Sequence, residues 1–207
     1  LCESIGSILT RSKGELSIHT PVIKNHTVLS LSRRNRIPIL TLGPLLARCG
    51  KAEVPILGGD KIGPRPVNLH FDALTLMGAK ITVTERSYKA EAPQGLHGAK
   101  IVFPFPSVGA TENTILAAVL AKGKTTIINA AVEPEILDLI RMLQKMGAII
   151  GLGANRVIEI EGVERLRGVT HSIIPDRNEA VSFACLALGD TLSLSARQPF
   201  GLVRAER

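Results

Sequence analysis

The sequence predicts an α/β (α+β) fold in which one supersecondary unit is used several times. Three observations predict it. Segments with helical apolar spacing alternate with short strand-like segments. Glycines at 6, 78 and 147 recur with a period of roughly 70 residues, too long for solenoid repeats of about 20–50 and suited to a whole unit. An Ala-rich segment without a polar face, near 111–121, reads as a helix buried centrally with sheets outside it.

The elements follow in order. Ile5-Gly6-Ser7-Ile8 leads through a charged turn to Leu16-Ser17-Ile18-His19, and Glu53–Leu57 reads as a strand. Met77-Gly78-Ala79-Lys80-Ile81 leads through Thr84-Glu85-Arg86 to Tyr88-Lys89-Ala90. Strand Lys100–Phe103, the small-residue helix Thr111–Ala121 ending at Lys122-Gly123, and strand Thr125–Asn129 come next. Ile136, Leu139, Ile140, Leu143 and Met146 then recur at helical spacing. Pro134 suits the first turn, where a missing N–H costs nothing, and Glu133 and Glu135 favour the positive dipole end. Arg141 and Lys145 fall in the last turns, Gly147 is placed to cap the end, and Arg156–Glu161 alternates as a strand.

Composition bounds the function. The chain has 207 residues, 45% hydrophobic and 21% charged, so a sizeable core is available and wholesale disorder is excluded. Aromatics are 3%, with no Trp, which argues against nucleic-acid readers that stack bases on aromatic platforms. Cys2, Cys49 and Cys185 lie far apart without a CxxC, so neither a disulfide framework nor a zinc knuckle is expected, and a reducing cytoplasm is the natural setting. No apolar run approaches the ~20 residues of a membrane span. The first residue is Leu and nothing there resembles a signal peptide, so the chain reads as an internal fragment.

The formal charge is +7, and its excess is local: residues 33–65 carry seven bases (Arg33, Arg34, Arg36, Arg48, Lys51, Lys61, Arg65) against Glu53 and Asp60. Such a cluster reads as an anion pocket, with a solvated face as the alternative. Within it lies Gly58-Gly59-Asp60-Lys61-Ile62-Gly63-Pro64-Arg65-Pro66-Val67-Asn68-Leu69-His70. Its glycines and prolines exclude a strand or helix interior, leaving a loop with an acid, two bases and accessible backbone N–H groups. It could close over an anionic ligand, with Arg65 gripping a phosphate, or be an ordinary charged connection. Ser107, Val108 and Gly109 precede the buried helix, where free N–H groups and the dipole favour an anion; capping by Ser107 is the other role open to it.

This loop resembles the catalytic loop of the UDP-N-acetylglucosamine-dependent enolpyruvyl transferases. So do Arg36–Arg48, Pro106–Asn113, Asn129–Ile136 and Ile174–Arg177, in the right order and spacing, from about Gly6 to Gln198. The resemblance implies two domains of three βαβαββ units each, an inside-out α/β barrel with helices inside. It implies transfer of the enolpyruvyl group of phosphoenolpyruvate to the 3′-hydroxyl of UDP-N-acetylglucosamine, a step of peptidoglycan synthesis and so of cell-wall biogenesis, cell shape and division. Asp60 would deliver a proton where the family usually has cysteine. That needs desolvation to raise its pKa against Lys61 and Arg65. Arg65 would share the phosphate of phosphoenolpyruvate and Arg36 would contact substrate. Pro66, Val67, Asn68 and Leu69 would line the uridine end, and Ser107, Val108 and Gly109 the diphosphate. His70 reads as packing or surface, and Phe105 stands where some relatives carry lysine. No metal or other cofactor is implied, nor a nucleic-acid or membrane partner; the full-length protein is expected to be a cytoplasmic monomer.

On this resemblance residues 1–173 hold most of the first domain and 174–207 the truncated start of the second. A Lys-Asn pair that grips phosphoenolpyruvate would precede Leu1; the carboxylate base and a further arginine would follow Arg207. The 207-residue chain alone is therefore expected to turn over negligibly. Ala184–Asp190 looks short against the family pattern, and Phe200–Arg207 matches none of it. Two alternatives remain: an enolpyruvylshikimate-phosphate synthase, whose loop sequence differs, and a non-catalytic module using the Arg33–Arg65 patch on a polyanion.

Overall fold

Gly6, Gly78 and Gly147 all hold left-handed backbone, with φ of 101°, 97° and 101°. Each ends a helical turn and starts a hairpin, so the repeat in sequence is a repeat in structure. At the second and third glycines the closing bonds match. Gly78 N–H donates to Thr75 and Ala79 N–H to Leu74; Gly147 N–H donates to Gln144 and Ala148 N–H to Leu143. These satisfy the last carbonyls of the preceding helices. After each hairpin the chain returns to the residue before the glycine: Lys24 N–H bonds Ile5, His97 N–H bonds Met77, and Arg167 N–H bonds Met146. The side chains of Lys24, His97 and Arg167 lie 2.9, 2.9 and 3.7 Å from where a Cβ on the respective glycine would stand.

The computed structural model describes residues 1–29, 35–59, 65–188, 193–197 and 202–206. They divide into two compact units, Leu1–Arg167 and Gly168–Arg207. In the first, β1 (Ile8–Ser12) and β2 (Glu15–His19) form an antiparallel hairpin closing at Ser12 opposite Glu15. α1 (Leu42–Cys49), β3 (Lys51–Pro55), α2 (Asn68–Leu76), β4 (Lys80–Val83) and β5 (Ser87–Glu91) follow, with sheet order β3-β5-β4 and a parallel bridge from Thr27 to Glu53. Next come β6 (Lys100–Val102), α3 (Val108–Ala118), β7 (Lys124–Ile128), α4 (Pro134–Lys145), β8 (Ile149–Gly153) and β9 (Val157–Glu161), a βαβαββ unit with sheet order β6-β7-β9-β8. β6 and β7 pair in parallel; the other neighbours are antiparallel. The second unit holds α5 (Arg177–Leu188) and the antiparallel pair β10 (Ser193–Arg197) and β11 (Leu202–Glu206). Among the described residues no helix is long and apolar enough to cross a membrane.

In the first unit the buried helix is α3. α3 packs on α1, α2 and α4, and its Ala110, Ile115, Ala117 and Ala118 are wholly buried. Its buried polar groups are satisfied: Thr114 Oγ1 donates to the Ala110 carbonyl and Thr111 Oγ1 accepts from Ala131 N–H. α1 comes so close that a Cβ on Gly43 would sit 2.5 Å from the Asn113 carbonyl oxygen. The central helix starts at Val108, earlier than the apolar run indicates, because Ser107 caps it with extended backbone. Two helices escape the apolar spacing. α1 is short and holds Pro44, and α2 buries His70 among its apolar positions.

Candidate functional site

The ends of α2 and α3 and the turn before α1 enclose a cleft of about 520 Å³, within the range of small-molecule sites. Three elements bring its polar groups together. Arg36 precedes a 3₁₀ turn, Ile37–Thr41, whose first N–H is held by Asn35 Oδ1 at 3.1 Å. The Asn35 carbonyl also accepts from Gly58 N–H, tying the loop stem to the arginine. Gly59, with φ 110°, lets Arg36 lie against that stem: a Cβ there would meet Arg36 Cγ at 3.2 Å. Arg65 enters from the other end of the same loop.

The electrostatics are one-sided. Burial, then the nearby Arg65 guanidinium, lowers the Arg36 pKa from its ordinary value, while Tyr88 acts in the opposite sense. Among the described residues neither arginine forms an ion pair, and no carboxylate lines the cleft. Facing them is the N-terminus of α3. Ser107 Oγ accepts from Ala110 N–H at 3.4 Å, and Thr111 N–H bonds the Ser107 carbonyl. Val108 and Gly109 N–H have no partner among the described residues and stand at the positive end of the helix. Two guanidinium groups and free helical N–H groups together suit phosphate oxygens.

Of the sequence-predicted site, Arg36, Arg65, Pro66, Asn68, Leu69, Ser107, Val108 and Gly109 line this cleft. Val67 does not: it sits before α2 and packs against the core. Asn68 and Leu69 are not loop residues but the first turn of α2. Asp60 and Lys61, with Arg33 and Arg34, lie outside the described residues. The cleft also takes in Ile37, Ile39, Leu40, Phe105 and His70. His70 is 6% exposed, and burial, with a smaller contribution from Arg36, lowers its pKa to about 4. Its position next to the Arg65–Leu69 run was the available signal, and a histidine alone in sequence gives no sign of burial.

The comparisons agree with this architecture. The sequence pattern of EPSP synthase (3-phosphoshikimate 1-carboxyvinyltransferase) matches residues 1–190. The UDP-N-acetylglucosamine 1-carboxyvinyltransferase of Chlamydia abortus is 52% identical over 192 residues, which are 91% of this chain and 43% of that protein. The Pelagibacter ubique protein of the same name is 48% identical over 90% of this chain and 45% of its own. The chain thus spans less than half the length of these curated relatives. The enolpyruvyl transferase NikO from Streptomyces tendae superposes with a TM-score of 0.74 at 19% identity, over 88% of this chain and 44% of that one, a likeness of fold. The chain therefore belongs to the EPSP synthase (3-phosphoshikimate 1-carboxyvinyltransferase) family, and about half its residues match proteins called UDP-N-acetylglucosamine 1-carboxyvinyltransferase.

Proposed function

We propose that this chain forms one wall of an active site that moves the enolpyruvyl group of phosphoenolpyruvate to the 3′-hydroxyl of UDP-N-acetylglucosamine. The observation that carries the reading is the convergence of Arg36, Arg65 and the open N-terminus of α3 on one cleft free of carboxylates among the described residues. Both substrates are phosphorylated, and the relatives at about half identity carry the nucleotide sugar in their names.

The reaction is addition followed by elimination. A proton goes to the methylene carbon of phosphoenolpyruvate while the sugar oxygen attacks the adjacent carbon and gives its own proton to a base. Loss of phosphate and of a methyl proton then restores the double bond. In this reading Asp60 is the proton donor, Arg65 holds the transferring phosphate, and Arg36 contacts substrate. Val108 and Gly109 N–H groups receive the diphosphate, with Ser107 beside them, and Pro66, Asn68 and Leu69 flank the uridine. Residues 174–207 begin the second domain, which with chain beyond this segment supplies the base. The complete protein works as a cytoplasmic monomer without a metal or other cofactor.

Thermal melting of the full-length protein tests the assignment. UDP-N-acetylglucosamine should raise the melting temperature in a saturable way, whereas shikimate 3-phosphate should not. Protection by polyanions alone, abolished by salt, would replace the transferase by the binding-module reading.

A further inference from the structure

Asn113 lies in the second turn of α3, fully buried, and its amide is engaged from two helices. Gly43 N–H of α1 donates to Oδ1 at 2.9 Å, which fixes which end of the amide is oxygen. Nδ2 lies 3.2 Å from His70 Nδ1 of α2. An amide NH₂ only donates, so Nδ1 carries the lone pair and a neutral imidazole must hold its proton on Nε2. The depressed pKa of His70 fits that neutral form. The imidazole edge with Cε1 and Nε2 runs along the start of α3: a Cβ on Gly109 would stand 3.3 and 3.5 Å from those atoms. His70 and Gly109, against which that edge lies, both line the cleft that holds Arg36 and Arg65.

We propose that His70 is an uncharged donor of the cleft, its Nε2–H directed to an oxygen of the nucleotide sugar, and that Asn113 is the positioning residue that sets this tautomer. The proposal rests on the functional reading above for its ligand. A neutral donor complements the two arginines chemically. They attract any anion at long range, whereas a fixed N–H rewards only a ligand with an acceptor at one place and is left unpaired by others. Glycine at 43 and 109 serves the same arrangement by letting α1 and the imidazole approach α3.

The test uses the full-length protein with nitrogen-15 NMR of the His70 ring and titration with UDP-N-acetylglucosamine. Wild type should show a bare Nδ1 and a protonated Nε2, and Asn113→Asp should reverse them, since a carboxylate demands Nδ1–H. Affinity should fall about tenfold in His70→Ala and in Asn113→Asp, the loss of one hydrogen bond, and return to within about threefold in His70→Gln, whose amide still donates. A protonated Nδ1 in wild type, or His70→Ala binding like wild type, overturns the proposal and leaves the functional reading standing. Failure of wild type itself to bind the nucleotide sugar removes both.

Discussion

The α1–β5 region and the β6–β9 region are built on the same alternation, yet they spend their polar groups differently. In the second, the connection from β7 to α4 is residues 129–133, and its backbone bonds back onto its own unit, although Glu133 Oε2 is buried with no hydrogen-bond partner among the described residues. Asn129, at φ 58°, bonds the Phe103 carbonyl, Ala130 N–H bonds Arg156, and Ala131 N–H bonds Thr111. In the first, the equivalent connection from β3 to α2 runs over residues 56–67 and holds the Gly58–Pro66 loop. Its Arg65, and Arg36 that lies against the loop stem, find no ion pair among the described residues. A connection whose hydrogen bonds close on its own unit is scaffold; one that leaves its cation open is a site, and here it faces the open N–H groups that α3 of the second region presents.

The comparison can be broken most severely at the loop. Asp60→Ala in the full-length protein should cut turnover by ~10²–10⁴-fold, the usual contribution of a general acid, with an unchanged melting temperature. A cysteine at this loop position, the residue that the resemblance implies in relatives, would react through its thiolate with the epoxide fosfomycin, and a protonated carboxylate is a far poorer nucleophile. Wild type should therefore stay active and unmodified in that drug, and Asp60→Cys should gain a covalent adduct seen by mass spectrometry. The scaffold should respond in the opposite way. Ile115→Ala, at a wholly buried site in α3, should cost about 2–5 kcal/mol in denaturant melts.

A smaller effect separates the regions by pH. The His70 pKa falls from 6.5 to about 4, so between these values the unfolded chain binds the proton and the folded one does not. Stability from this group is complete above pH 6.5 and is lost as pH falls towards 4, on the order of 3 kcal/mol as an upper bound. Melts from pH 7 to 4 should show the slope, and His70→Gln should flatten it. The smallest change is expected from Ser107→Ala. The capping bond is long, at 3.4 Å, so the loss should be about 0.5–1 kcal/mol by the same melts.

What the sequence discloses follows the same division. α4 was legible because Ile136, Ile140 and Leu143 face the core at helical spacing while Pro134 and Gly147 mark its ends. The glycine repeat was legible because the turn into each hairpin needs a positive φ. α1 and α2 were not, since a buried proline-containing turn of helix and a helix burying histidine break the apolar pattern. Arg36 and Arg65 could be named from the charge cluster and the family resemblance, but their meeting with Ser107 needs the fold. His70 required its partner Asn113, far away in sequence.

The central claim is that the cleft beside α3 grips the phosphate of a phosphorylated substrate. Phosphate release by the full-length protein, given phosphoenolpyruvate and UDP-N-acetylglucosamine, tests it most directly when wild type is set beside Arg65→Ala. Release should require both substrates, and the variant should lose about 2–4 kcal/mol of transition-state stabilisation in kcat/KM without losing melting temperature. An unchanged kcat/KM in Arg65→Ala would contradict the account.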